Sequence, residues 1–472
     1  MQVAEKTRSP ELVRELNVWH STAIVVGTII GSGIFLVPKE MMQYVGSPGL
    51  VYLAWIVGGL LSFFGALTYA ELGAVRPWAG GEYVYVRDAY GPLMGFLYAW
   101  TWFLIAKPAS IASITAGLVR VLGSFSAFSF LPHSIFTWHI STGRDFAVTY
   151  GHLVAILATI LITALNYVGV RKAGNFQLIF TALKVIMIAG IAVVGFGASS
   201  GSWSNFGTKF FGSQGGMAGF IAALVAALWA YDGWNDLNMV SGEIKDPERT
   251  IPRALIAGVG LVAVLYIGMN AAIQYVMPAS AIAHSDVPGA AATQIAIGRW
   301  GAALVSAGMA ISMLVTLNGT IMSGGRIPFA VARDGYFFRA LADVHPRFRT
   351  PGLALVVQAL LAIVLLLAGG AFRELLSLAI FAEWLFYMIA ASTIFVFRKR
   401  EPDVPRPYRT WGYPVVPALF IVAAGVLLYY TFFENLKNSI AGTIVILAGI
   451  PVFYYFAKTK TLNAEEQRQQ RK

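Results

Sequence analysis

Apolar runs long enough to cross a bilayer recur along the whole chain, separated by short polar connections. They lie near 18–45, 49–75, 91–123, 150–169, 175–198, 217–241, 253–277, 298–326, 353–370, 372–398, 414–432 and 439–457. Most hold roughly 20 residues or more, the length a helix needs to cross a hydrocarbon core about 30 Å thick. The pattern predicts an all-α polytopic membrane protein with twelve transmembrane helices. They form one domain over 18–457, between a polar N-terminal tail (1–17) and a charged, glutamine-rich tail (458–472) expected to fray.

Two of these runs are interrupted at their middle. The first carries Gly31, Ser32 and Gly33 between Ile30 and Ile34, and the sixth reads polar from Trp229 through Asp232 and Gly233 to Asn235 and Asp236. Glycine and serine are poor formers of regular helix, and broken backbone at membrane depth leaves peptide groups that lipid cannot satisfy. One such notch alone reads as close helix packing. Asp232 stands 200 positions after Ser32, with five spans in the interval. Matched interruptions in two five-span halves read instead as a substrate site in a five-plus-five inverted repeat. Repeat one is then about 18–198 and repeat two about 217–398, with the helices over 414–457 outside it. Half-helix ends offer N–H groups to a carboxylate and carbonyls to an ammonium, which suits a zwitterion.

Composition agrees with the pattern. Hydrophobic residues make up 57% of the 472 and charged ones 12%, and mean hydropathy is +0.67, which excludes a soluble domain. The net charge of +11 is no sign of nucleic-acid binding. With both termini cytoplasmic and basic residues at span ends counted with the adjoining segment, 25 of the 34 fall on the cytoplasmic side, 7 on the external side and 2, Lys107 and Lys184, inside spans. The first apolar run is too long for a cleaved signal and reads as an uncleaved anchor. Cysteine is absent, so no disulfide or thiolate chemistry is available. The six histidines fall at span ends and in loops, so neither metal nor cofactor is expected. Gly258 to Ala263 fits a loose dinucleotide pattern but lies inside a span with no strand before it. No hydrolase arrangement is evident, so the chain does not read as an enzyme.

Charges inside the spans are the remaining candidates. Lys184 lies near mid-depth of the fifth span, where a lysine costs about 2.5–3.5 kcal/mol and both interfaces are beyond easy reach. It reads as a built-in cation, meeting carbonyls exposed by the first break and by span eight. Asp232 either caps the second half of span six or contacts substrate. Glu383, in span ten, either pairs with Lys184, stays protonated or faces a substrate side chain. Lys107 precedes Pro108, which should kink span three; the lysine either reaches the exterior or satisfies a freed carbonyl. Glu71 and Glu243, near Arg76, Lys245 and Arg249, read either as inner-gate salt bridges or as solvated ends.

An ordered set of motifs now carries a resemblance. They are Gly27 to Phe35, Lys107 to Ser110, Ile179 to Lys184, Ala230 to Asn235, Gly242 to Pro252, Arg326 to Gly335 and Arg398 to Pro407. The chain resembles the L-type amino acid transporter branch of the amino acid–polyamine–organocation superfamily. The resemblance implies alternating-access transport of amino acids, usually by sodium-independent exchange. It implies that Ile29, Ile30, Gly31, Ser32 and Gly33 hold the substrate's carboxylate and amine through backbone groups. Trp229, Ala230, Asp232 and Gly233 would supply the carbonyl face and gate, with Trp229 the gating aromatic. Asn235 would line the side-chain pocket, flanked by Trp384. Eukaryotic members join a heavy subunit through a cysteine after span three, and residues 124–149 contain none. A lone subunit in the cytoplasmic membrane, most simply a monomer contacting lipid and small amino acids, is the expected form.

Overall fold

The computed structural model describes residues 11–141, 144–368, 370–434 and 436–469, of which 139–141, 144–146, 370–380, 434 and 463–469 are described by backbone alone. Among the described residues, ten helical stretches are long and apolar enough to cross a membrane. The sixth and ninth expected spans correspond to shorter apolar helices, Gly216–Ala230 and Gly352–Leu367. The sixth is short because its helix ends at Ala230, and only the turn Asp236–Met239 resumes it.

The first span is likewise two helices, Val18–Ile29 and Gly33–Val45. Asn17 begins it, its side chain accepting hydrogen bonds from the N–H groups of Trp19 and His20. The half Val18–Ile29 is enclosed by helices Val170–Phe196, Pro247–Val276 and Arg299–Gly324. Pro247–Val276 also packs along Pro48–Val75, and the rings of Trp55, Tyr231 and Tyr266 fill the seam between them. Close packing in that seam fixes the two interruptions against each other.

Three local features depart from the expected pattern or sharpen it. The segment after the third span, expected as polar and aromatic connection in an all-α chain, contains an antiparallel hairpin, Ser134–Ser141 with Arg144–Thr149. Its run of Ile135, Phe136, Thr137 and Trp138 is made of the β-branched and aromatic types that favour strands. Of the tail over 458–472, residues 470–472 lie outside the described residues, and the rest continues the last helix, Leu436–Gln469, since alanine, glutamate, glutamine and arginine are strong helix formers. The third span, Pro92–Leu122, loses its regular α geometry ahead of its proline: Trp102–Ala106 widens into a π-turn before Lys107 and Pro108. Pro108 has no N–H to offer the preceding turn, and the wider turn absorbs that gap.

Candidate functional site

At the first break Ile30 adopts extended geometry (φ −73°, ψ 91°), which turns its carbonyl out of the helix. The freed carbonyls of Gly27 and Ile30 are then met from two sides. Lys184, only 1% exposed, donates from its ammonium to the Gly27 carbonyl at 2.9 Å and to that of Ile30. From span eight, Ser312 donates to the Ile30 carbonyl at 2.8 Å, and the single hydroxyl proton of Thr316 faces the carbonyls of Gly27 (3.1 Å) and Ile30 (3.2 Å). Span eight therefore contributes hydroxyls here, where carbonyls were expected. The lysine's partners are carbonyls, so the pairing of Lys184 with Glu383 is set aside.

The other side of the same break is open. The helix Gly33–Val45 starts with no side chain capping it; the Phe35 N–H turns back to the Ser32 carbonyl at 3.1 Å, and the N–H groups of Gly33 and Ile34 before it remain available to an anion. A Cβ added to Gly33 would lie 3.3 Å from both the Ala230 Cβ and the Trp229 ring. The uncapped end therefore faces the second break directly. Trp229 itself is 47% exposed, and Gly31 and Ser32 are half-buried.

Two ties join the breaks. The Thr28 hydroxyl lies 2.8 Å from the Gly233 carbonyl and 2.6 Å from that of Ile24, one proton facing both acceptors. Gly233 has φ 108°, and a Cβ there would lie 3.0 Å from the Thr28 carbonyl carbon. Only glycine suits both that conformation and that approach. The Tyr266 hydroxyl lies 3.1 Å from the Ile29 carbonyl and 3.0 Å from the Ala230 carbonyl, one proton facing two acceptors.

Beyond the second break lies a buried polar cluster. Lys107 is paired with Asp236, so neither role expected for it holds. Asn235 is held at both ends of its amide: the NH2 group donates to Glu82 at 2.7 Å and the oxygen accepts from Tyr387 at 3.3 Å. The Tyr98 hydroxyl donates to the second Glu82 oxygen at 3.2 Å. Burial pushes the Glu82 carboxyl up to about 7, although the Asn235 bond opposes this. Asp232 does not cap the resumed helix, which begins at Asp236 with Asn235 before it and no side-chain cap. One Asp232 oxygen is instead buried without a partner. Trp384 is buried against Tyr387 and Phe420, and Tyr387 in turn donates to Asn235. Glu383 is half-buried beside it.

At the basic-rich end, Glu71 and Glu243 are buried and ion-paired, with partners other than the nearby basic residues in sequence. Arg326 holds Glu243 through two hydrogen bonds, at 2.7 and 2.9 Å, both side chains fully enclosed. Glu71 accepts from Arg398 and from the Thr410 N–H, with Arg406 alongside. Arg76 pairs instead with Asp88 and Glu401. The N–H groups of Glu15 and Leu16 donate to the Glu243 carbonyl, which ties the segment before span one to the connection after span six.

Sequence reasoning missed Tyr266, Thr28, Ser312, Thr316, Glu82 and Asp236. Ser312 and Thr316, four apart in an apolar run, are a polar pair on one helix face, and that spacing was legible. Tyr266 left no such signal, because a lone tyrosine in an apolar span is ordinarily packing.

The geometry is matched by likeness to known proteins. An amino acid permease family model matches residues 16–455. The chain is 33% identical over 458 residues to the serine/threonine exchanger SteT of Bacillus subtilis (strain 168), covering 96% of this chain and 99% of that one. It is 30% identical to the b(0,+)-type amino acid transporter 1 of Mus musculus, covering 96% and 90% of the two chains. It is 29% identical to the cystine/glutamate transporter of Homo sapiens, covering 94% and 86%. A multi-pass helical chain with broken first and sixth spans, matched along almost its whole length, is an amino acid transporter and belongs to the amino acid permease family.

Proposed function

We propose that this protein exchanges small neutral L-amino acids, alanine- or serine-like, across the cytoplasmic membrane by alternating access and without sodium. The uncapped N-terminus at Gly33, facing the carbonyl side of the second break, is the observation that carries this reading. Its N–H groups would take the substrate carboxylate, and carbonyls at the two breaks would take the amine. Ile29 to Gly33 and Trp229 to Gly233 form that zwitterion site, with Trp229 as the outer gate. Lys184 stands on the carbonyls a mobile cation would otherwise need, which supports sodium independence. Likeness to a protein named as a serine/threonine exchanger supports a small substrate.

Twelve crossings in a five-plus-five repeat, with both termini cytoplasmic, accommodate the ten long and two short helices. The ties through Glu243, Arg326 and the N-terminal segment then lie at the inner gate, and a path to the cytoplasm has to part them. The protein works as a lone subunit.

In proteoliposomes, labelled serine is expected to enter against internal alanine or serine, equally well in choline and in sodium. Arginine is expected not to compete. Arginine counterflow that alanine does not inhibit would overturn the assignment. A second reading rests on the buried Asp232 oxygen without a partner: with Glu383 nearby, it favours a cationic amino acid or polyamine antiporter, or a proton-coupled symporter. Competition by arginine in that assay, or alkalinisation of the medium with uptake, selects between those forms.

A further inference from the structure

Two connections far apart in sequence meet around a cleft of about 280 Å³ at the basic-rich end of the bundle. The turn between helices Tyr150–Tyr167 and Val170–Phe196 brings Arg171 and Lys172. The loop ahead of helix Gly352–Leu367 brings Arg347 and Arg349. Val13 and Glu15 of the N-terminal segment close the third side.

Orientation alone explains why basic residues sit at this end. It does not explain why four of them converge on one hollow and stay unpaired. Four positive side chains against one carboxylate leave the lining with a surplus of three charges. Among the described residues none of the four forms an ion pair, whereas Arg76, Arg87, Arg326, Arg398 and Arg406 all do. Like charges held together repel, and a bound anion removes that repulsion.

The backbone points the same way. Helix Val170–Phe196 starts at the cleft with no side-chain cap and no acidic residue in its first turn, so its free N–H groups add to the positive field. Gly169, with φ 137°, has nothing within 4 Å of where a Cβ would stand, and the mouth is unobstructed.

We propose that this cleft is a phosphate-binding site, occupied by the headgroup of an anionic phospholipid from the adjoining leaflet. The cleft opens at the turn between two spanning helices, Tyr150–Tyr167 and Val170–Phe196, the kind of place where a chain leaves the bilayer among its headgroups, and Val168 and Phe348 give it an apolar flank. A soluble phosphate would satisfy the same cations but has no use for that flank. Occupancy also reaches the gate: Glu15 lines the cleft while its N–H holds the Glu243 carbonyl at 2.9 Å. A lipid seated there braces the segment that ties span one to the connection after span six.

The test is the unfolding midpoint of the full chain in detergent, titrated with phosphatidylglycerol, phosphatidylcholine or inorganic phosphate. Phosphatidylglycerol is expected to raise the midpoint saturably, and the other two to leave it unchanged. The rise is expected to vanish in the triple variant Arg171→Gln, Arg347→Gln, Arg349→Gln. It is expected to persist in a control lacking three other exposed cations, Lys399→Gln, Arg409→Gln, Lys458→Gln. Should the first triple variant fail to fold, Lys172→Gln alone is expected to raise the half-effective lipid concentration at least threefold. An equal rise in every variant, or its loss in the control, overturns the site. A matching rise with inorganic phosphate overturns the lipid as its source.

Discussion

Lys184 carries the most at the scale of single residues. Its ammonium replaces hydrogen bonds that the Gly27 and Ile30 carbonyls lost when the helix broke, and Ser312 and Thr316 share that task. Replacing it with alanine removes the charge while two hydroxyls still satisfy the carbonyls. Lys184→Ala is therefore expected to insert and fold nearly as the parent does, while exchange in proteoliposomes drops at least tenfold. Undiminished exchange would refute the built-in cation. Gly33 is a question of space. A side chain there meets the Ala230 Cβ and the Trp229 ring at 3.3 Å and fills the gap where the carboxylate would lie. Gly33→Leu is expected to raise the half-saturation concentration tenfold or abolish binding, as read by concentration-dependent counterflow. Glu82 supplies a pH dependence. Its carboxyl sits at about 7 in the fold, raised from 4.5 by burial, so the fold favours the protonated form. That contribution to stability is whole below pH 4.5 and is lost as pH rises towards 7. Unfolding midpoints taken from pH 5 to pH 7.5 are expected to fall in the parent and to change less in Glu82→Gln.

Both interruptions were legible at the scale of elements, because Gly31, Ser32 and Gly33 in one run and Asp232 and Gly233 in the other violate an otherwise apolar pattern. The structure breaks the helices at those places. Partners across the bundle were not legible. Lys107 meets Asp236 over 129 positions, and Glu243 meets Arg326 over 83, distances at which sequence proximity carries no information. Glu71 illustrates the error well. Arg76 is five residues away in sequence, yet Arg398 and Arg406 hold the carboxylate. The hairpin Ser134–Ser141 with Arg144–Thr149 was missed for a different reason: an eight-residue strand looks like loop in a chain scanned for 20-residue runs. The Glu243–Arg326 pair yields its own prediction. Removing one member leaves the other as an enclosed, unmatched charge, a loss of about 3–5 kcal/mol. Arg326→Met is expected to lose that much in unfolding experiments in detergent, and adding Glu243→Met is expected to restore most of it.

The molecule as a whole follows from the need to enclose broken backbone within a low-dielectric medium. Helices Val170–Phe196, Pro247–Val276 and Arg299–Gly324 wrap the first break and send Lys184, Tyr266, Ser312 and Thr316 into it. The scaffold thus does for the peptide groups what water would do in a soluble protein. A cation fastened to its own polypeptide has no reservoir on either side of the bilayer, so there is no downhill flow of it to harness. Under the proposed exchange, such a carrier would concentrate one solute only by letting another run out. The cell's existing stock of exportable amino acids, rather than an ionic battery, would set how far any import can go.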